Sequence, residues 1–192
     1  MIDVIKKLLI ESLRNPRAAA PKVLALPLNM QVWGLVLGLV IVSNAVIYGL
    51  FLSFQSPLGI LPQITNNPVG YALATGGMFA ALVLLFDWIG RMMGGRGDLR
   101  TSLVVVTWLQ ALQLIVLTAL SFLGLVLGGV ASLVSLAFSI YFFWMLMCFL
   151  NAAHQFNSLG RSFTLMLLGH FGAAFALSFL LVLTGFSPVG PV

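Results

Sequence analysis

No Asp, Glu, Lys or Arg occurs between Lys22 and Asp87, between Arg100 and Arg161, or anywhere after Arg161. A helix on the surface of a water-soluble protein carries a polar face along its length. Uncharged runs this long therefore have lipid as their solvent. Composition agrees: 61% of the chain is hydrophobic and 7% charged, where a soluble domain carries about a quarter charged residues. The sequence predicts an all-α integral membrane protein, a bundle of five transmembrane helices preceded by a short amphipathic N-terminal helix. Its 192 residues leave room for one bundle and no separate soluble domain.

Residues 1–29 read as a cytoplasmic helix and linker, and residues 30–192 as the five-span domain. In the first fourteen residues, Asp3 can cap a helix with Ile2 as its apolar staple. Ile5, Leu8, Leu9 and Leu13 share one side, and Lys6, Lys7, Glu11 and Arg14 the other. Such a helix either lies in the headgroup layer or packs its apolar face on the ends of the spans. Asn15-Pro16 ends it, and Arg17 to Pro27 reads as a connector rich in Pro and Ala. The spans are expected near 30–54, 69–92, 102–123, 130–150 and 163–184, with a glycine-bearing turn at Gly124 to Gly129 between the third and fourth. The first apolar run begins near Met30, behind three prolines, and is too long for a cleavable signal.

Orientation follows from basic residues in the loops. The segment before the first span carries Lys6, Lys7, Arg14, Arg17 and Lys22. The second-to-third loop carries Arg91, Arg96 and Arg100, and the fourth-to-fifth loop carries Arg161. Residues 55–67, the glycine turn and the tail carry none. A cytoplasmic N-terminus and an external C-terminus put every basic loop on one side. The net charge of +5 thus reflects topology, and no nucleic-acid partner is implied.

Ionisable and amide groups inside spans are the places to look for chemistry. Asp87 sits one turn, ~6 Å, before Arg91 and the border, at the i,i+4 spacing of an ion pair. Asn44, Gln110, Gln113 and His170 lie deeper. They support two readings: hydrogen bonds between helices, or a polar path through the bundle that would serve a small-solute or lipid transporter. The first is the commoner use. Gly34 and Gly38 form GxxxG, and Ser132, Ser135 and Ser139 line one side of the fourth span; both patterns suit close helix packing. Gly94-Gly95-Arg96-Gly97-Asp98 has neither the strand nor the Lys-Ser/Thr ending of a phosphate loop and reads as a tight turn. His154 and His170 have no second ligand at metal-binding spacing, and no G-x-S-x-G occurs. No cofactor, metal or catalytic constellation is expected.

The order of these features resembles the Yip family of Ypt/Rab-interacting membrane proteins. The likeness runs through Arg14-Asn15-Pro16, then Gly94-Gly95-Arg96-Gly97-Asp98-Leu99-Arg100 leading into Trp108-Leu109-Gln110. It continues in Asn151-Ala-Ala-His154-Gln-Phe156-Asn-Ser-Leu159. It is closest to the bacterial branch, which implies a multi-pass inner-membrane protein. Eukaryotic members carry a Tyr-Gly-Pro type motif before the first span; Leu26-Pro27-Leu28 stands there in this chain, which speaks against Rab binding. The resemblance implies a non-enzymatic role in organising membrane components, with the bilayer, other membrane proteins or a second copy as partners. Candidate contacts at the cytoplasmic surface are Lys6, Lys7, Arg14, Arg17, Arg96, Arg100 and His154.

Overall fold

The computed structural model describes residues 2–52 and 68–183. Among them are seven helices: α1 (Ile2–Arg14), α2 (Pro16–Leu24), α3 (Met30–Leu52), α4 (Pro68–Met92), α5 (Leu99–Val126), α6 (Gly128–His154) and α7 (Leu159–Leu183). The last five are long and apolar enough to cross a membrane, and they correspond to the five expected spans. The expected tail from Ser187 and the loop 55–67 lie outside the described residues.

One short element departs from expectation. The segment expected as a connector contains α2, capped by Asn15, whose Oδ1 accepts from Ala18 N at 3.3 Å. Pro16 occupies the first turn, where a missing N–H costs nothing and the fixed φ suits a helix. Pro21 is tolerated further in because Ala19, Ala20 and Val23 are fully buried against the bundle. Packing outweighs propensity in so short a helix.

The break between α5 and α6 is also tighter than expected. Helix α5 runs through Gly124 to Val126, and Leu127 alone separates it from α6. The Leu127 N–H bonds to Leu123 O at 2.8 Å, and its own carbonyl accepts from Ala131 N at 2.9 Å. One residue thus closes one helix and opens the next.

Helix α4 packs on α7, α7 on α6, α6 on α5 and α5 back on α4, which closes a four-helix ring; α3 leans on α4 and α5 from outside. At ~1.5 Å per residue, the 28 residues of α5 and 27 of α6 span ~42 and ~40 Å, against a hydrocarbon core of ~30 Å. Both are longer than an untilted crossing needs. Trp33, Trp88, Trp108 and Trp144 all lie towards the end of the bundle where α1 and α2 pack; Trp33 and Trp108 are buried in its core, and Trp88 is exposed.

Burial concentrates at that same end. It takes in Leu82 to Gly90 of α4, Ser102 to Leu109 and Leu112 of α5, Met145 to His154 of α6, and Ser162 to Met166 of α7. Phe86, Leu109, Leu112, Phe149 and Leu165 fill the centre. Gly169 lets the Phe86 ring lie directly on α7, since an added Cβ would strike it. Outward-facing Leu35, Leu73, Leu133, Phe171 and Phe175 are more than two-thirds exposed, as lipid contact requires. Among the described residues nothing lies within 4 Å of a Cβ added at Gly34 or Gly38, so the GxxxG face meets no helix of this chain there. The hydroxyls of Ser132 and Ser139 bond to carbonyls of their own helix.

Candidate functional site

Two zones hold the polar side chains, one at the basic end and one inside the bundle. The first is a knot around His154. The α4–α5 turn folds back on the C-terminus of α6: Arg96 N bonds to His154 O at 3.0 Å and Gly95 N to Gly90 O at 2.9 Å. Gly94 takes φ +81°, a conformation glycine adopts without penalty. His154 is fully buried, its ring stacked on Phe156 at 5.3 Å. A Cβ at Gly90, Gly95 or Gly97 would collide with this histidine. The glycine-rich turn is therefore a cradle for the imidazole as well as a turn.

That position corrects the expectation of a surface contact, because three glycines admit His154 too deeply to touch a partner. Both ring nitrogens and Asp87 Oδ1 are buried without hydrogen bonds among the described residues. The carboxylates of Asp87 and Asp98 are the charges that act on the ring. Asp87 Oδ2 pairs with Arg91 at the expected i,i+4 spacing, the acid buried and the guanidinium mostly exposed. Asp98 caps α5: its Oδ1 accepts from Thr101 N at 2.8 Å, and Thr101 Oγ1 accepts from Asp98 N at 2.8 Å. The Thr101 backbone N–H holds the Asp98 carboxyl below the usual carboxylate range.

Helices α1 and α2 are pinned to this end. Trp108 Nε1 donates to the buried Ser12 Oγ at 3.0 Å, and Tyr141 OH donates to Leu13 O at 2.9 Å. Lys22 pairs with Glu11 at 2.5 Å. Of the expected surface cations, two have internal roles. Arg17 lies 4.9 Å over the Trp144 ring, and Arg100 donates to the carbonyls of Leu26 and Leu28 at 3.2 Å each. Lys6, Lys7, Arg14, Arg96 and Arg161 make no ion pair among the described residues. Val4 and Ile10, each more than half exposed, stand beside the α1 cations.

The second zone is a cavity of about 410 Å³ between the spans. It brings together Asn44 of α3, Gln110 and Gln113 of α5, and His170 of α7. The expected hydrogen bonds between helices are absent: the three amides have no partner among the described residues. His170 Nδ1 lies 2.8 Å from Met166 O of its own helix, which leaves Nε2 free. Tyr71, stacked on Tyr48 at 4.0 Å, also lines the space. Sequence reasoning passed over Tyr71 and Thr75, whose only signal was polarity in the first half of a span. No group of three or more metal-ligating side chains occurs among the described residues.

These features define a multi-pass α-helical membrane protein in contact with lipid, knit at one end by buried polar groups and bearing unpaired cations there. The chain belongs to the Yip1 domain family, whose domain matches residues 10–186. The match is to the family as a whole and does not place the chain in its bacterial branch. No curated protein and no solved structure matches it.

Proposed function

We propose that this Yip-type protein is a non-enzymatic organiser of inner-membrane components, acting through its basic end at the cytoplasmic face. The observation that carries the reading is the division of labour among the cations. Lys22, Arg91, Arg100 and Arg17 are engaged inside the molecule. Lys6, Lys7, Arg14, Arg96 and Arg161 are left for a partner. Near an anionic bilayer surface each contributes ~1 kcal/mol of attraction. Val4 and Ile10 supply apolar contact beside them, for another membrane protein or a second copy. The loop count of basic residues supports the orientation, N-terminus cytoplasmic and C-terminus periplasmic.

Crosslinking in native membranes followed by affinity purification tests the role. The native chain is expected to bring down other membrane proteins or itself. A Lys6→Glu, Lys7→Glu, Arg14→Glu variant is expected to lose most of that yield while still inserting. Recovery of the lone chain, or an unchanged yield after charge reversal, contradicts the proposal. A reporter fused after Val192 tests orientation: periplasmic phosphatase activity supports it, and cytoplasmic fluorescence overturns it.

A further inference from the structure

The cavity between the spans is closed where the bundle is tight. Phe86, Leu109, Leu112 and Phe149 fill the space towards the basic end and are all but fully buried. Among the described residues this plug stands between the cavity and the α1–α2 end, which suits the cavity to holding a molecule rather than conducting one. At about 410 Å³ it falls within the range of small-molecule sites, roughly 300–1,000 Å³. Ser139 and Phe143 line it and are themselves exposed on the bundle, which gives the space a mouth beside α6.

The lining selects the occupant. No Asp, Glu, Lys or Arg borders the cavity among the described residues, and an ion at this depth would be costly without a countercharge. The amides of Asn44, Gln110 and Gln113 offer donors and acceptors that no described residue takes up. Water can wet those amides, but Phe79, Leu82 and Phe142 face it with apolar walls that water does not satisfy. An occupant that satisfies both is polar at one end, apolar elsewhere and uncharged.

We infer that this cavity binds the head of an uncharged amphiphile drawn sideways from the bilayer, its hydroxyl or carbonyl groups held by Gln110, Gln113 and Asn44. Diacylglycerol has this chemistry and serves as the probe. The full chain is reconstituted in phosphatidylcholine nanodiscs with a photoactivatable diacylglycerol whose diazirine lies near the glycerol. A phosphatidylglycerol carrying the same diazirine is the charged control. The diacylglycerol probe is expected to label cavity-lining peptides of α5 and α6, and excess dioleoylglycerol to suppress that labelling. Gln110→Leu with Gln113→Leu is expected to weaken it about tenfold, the scale of two lost hydrogen bonds. Ser139→Phe, which narrows the mouth, is expected to reduce it as well. Equal labelling by the two probes, labelling confined to lipid-facing residues, or none in the cavity overturns the inference; the last outcome leaves a cavity holding water only. The competition on the native chain decides the matter even if a variant fails to fold.

Discussion

The two ends of the same bundle treat polar groups in opposite ways. At the basic end, Trp108, Tyr141, Arg100 and Arg96 reach across from one element to another and bond there. Farther along α5, and on α3 beside it, Gln110, Gln113 and Asn44 reach into open space and bond to nothing within the described protein. The hydroxyls of Thr75, Thr118, Ser121 and Ser139 return to carbonyls of their own helices. In lipid, helices gain nothing by hiding apolar surface from one another, so they adhere by close packing and by polar contacts. Where both are present, at the α1–α2 end, the bundle is dense. Where polar contacts are missing, the spans separate enough to leave a cavity. The dense end is suited to hold a fixed docking face, and the looser half to admit a ligand.

The largest effect should come from emptying the dense end. Phe149→Ala removes a fully buried ring and is expected to cost on the order of 3 kcal/mol. Phe143→Ala, six residues earlier on the same helix and about half exposed, should cost well under that. Unfolding of the two variants in mixed micelles by denaturant gives the comparison, and equal losses would break it.

Next is the cradle. Gly97→Ala places a methyl group against the His154 ring and 3.0 Å from Ala153 O, an overpacking worth about 2 kcal/mol. Gly34→Ala, with nothing within 4 Å, should be neutral or slightly stabilising in its helix. If His154 is the obstacle, adding His154→Ala to Gly97→Ala should restore part of the loss. A strictly additive double mutant would show that the ring is not what the glycine accommodates.

A smaller effect is expected from Gln113→Leu. Its amide has no partner among the described residues to lose, so thermal stability should change by less than ~1 kcal/mol. A larger fall would mean that the amide is bonded to another helix after all.

The smallest is a dependence on acid at the start of α5. Because the Asp98 carboxyl is held below its ordinary range, its contribution is complete above the unfolded value near ~3.9. It fades as pH falls through the lower folded value. Hydrogen exchange of the amides at Thr101 and Ser102, corrected for intrinsic rates, should quicken only in that acid window. Asp98→Asn, which still caps but does not titrate there, should remove the dependence.

Much of this architecture was legible in the chain because charge and hydropathy act locally. The five spans, the Asp87–Arg91 pair and an amphipathic α1 each depend on residues within a few turns. Helix α2 was hidden because its prolines read as breakers, while the burial of Ala19, Ala20 and Val23 that supports it is a tertiary fact. The cradle left a signal in Gly90, Gly95 and Gly97, but a cluster of glycines announces close approach without naming what approaches. Gln110 and Gln113 were visible as polar groups at depth. Whether they face a neighbour or a void is fixed by the rotation of five helices about their axes, which hydropathy does not encode.

Thiol reactivity tests the contrast between the two regions most directly. The native Cys148 lies buried in the dense end, and Ser139→Cys in a Cys148→Ser background places a thiol at the cavity wall. Leu136→Cys in that background faces lipid, where a thiolate does not form and reaction is slow. With a small methanethiosulfonate reagent on the reconstituted protein, Ser139→Cys is expected to react about a hundredfold faster than either Cys148 or Leu136→Cys. Reaction of Cys148 as fast as Ser139→Cys, or a Ser139→Cys as inert as Leu136→Cys, would contradict a bundle that is packed at its basic end and hollow beyond it.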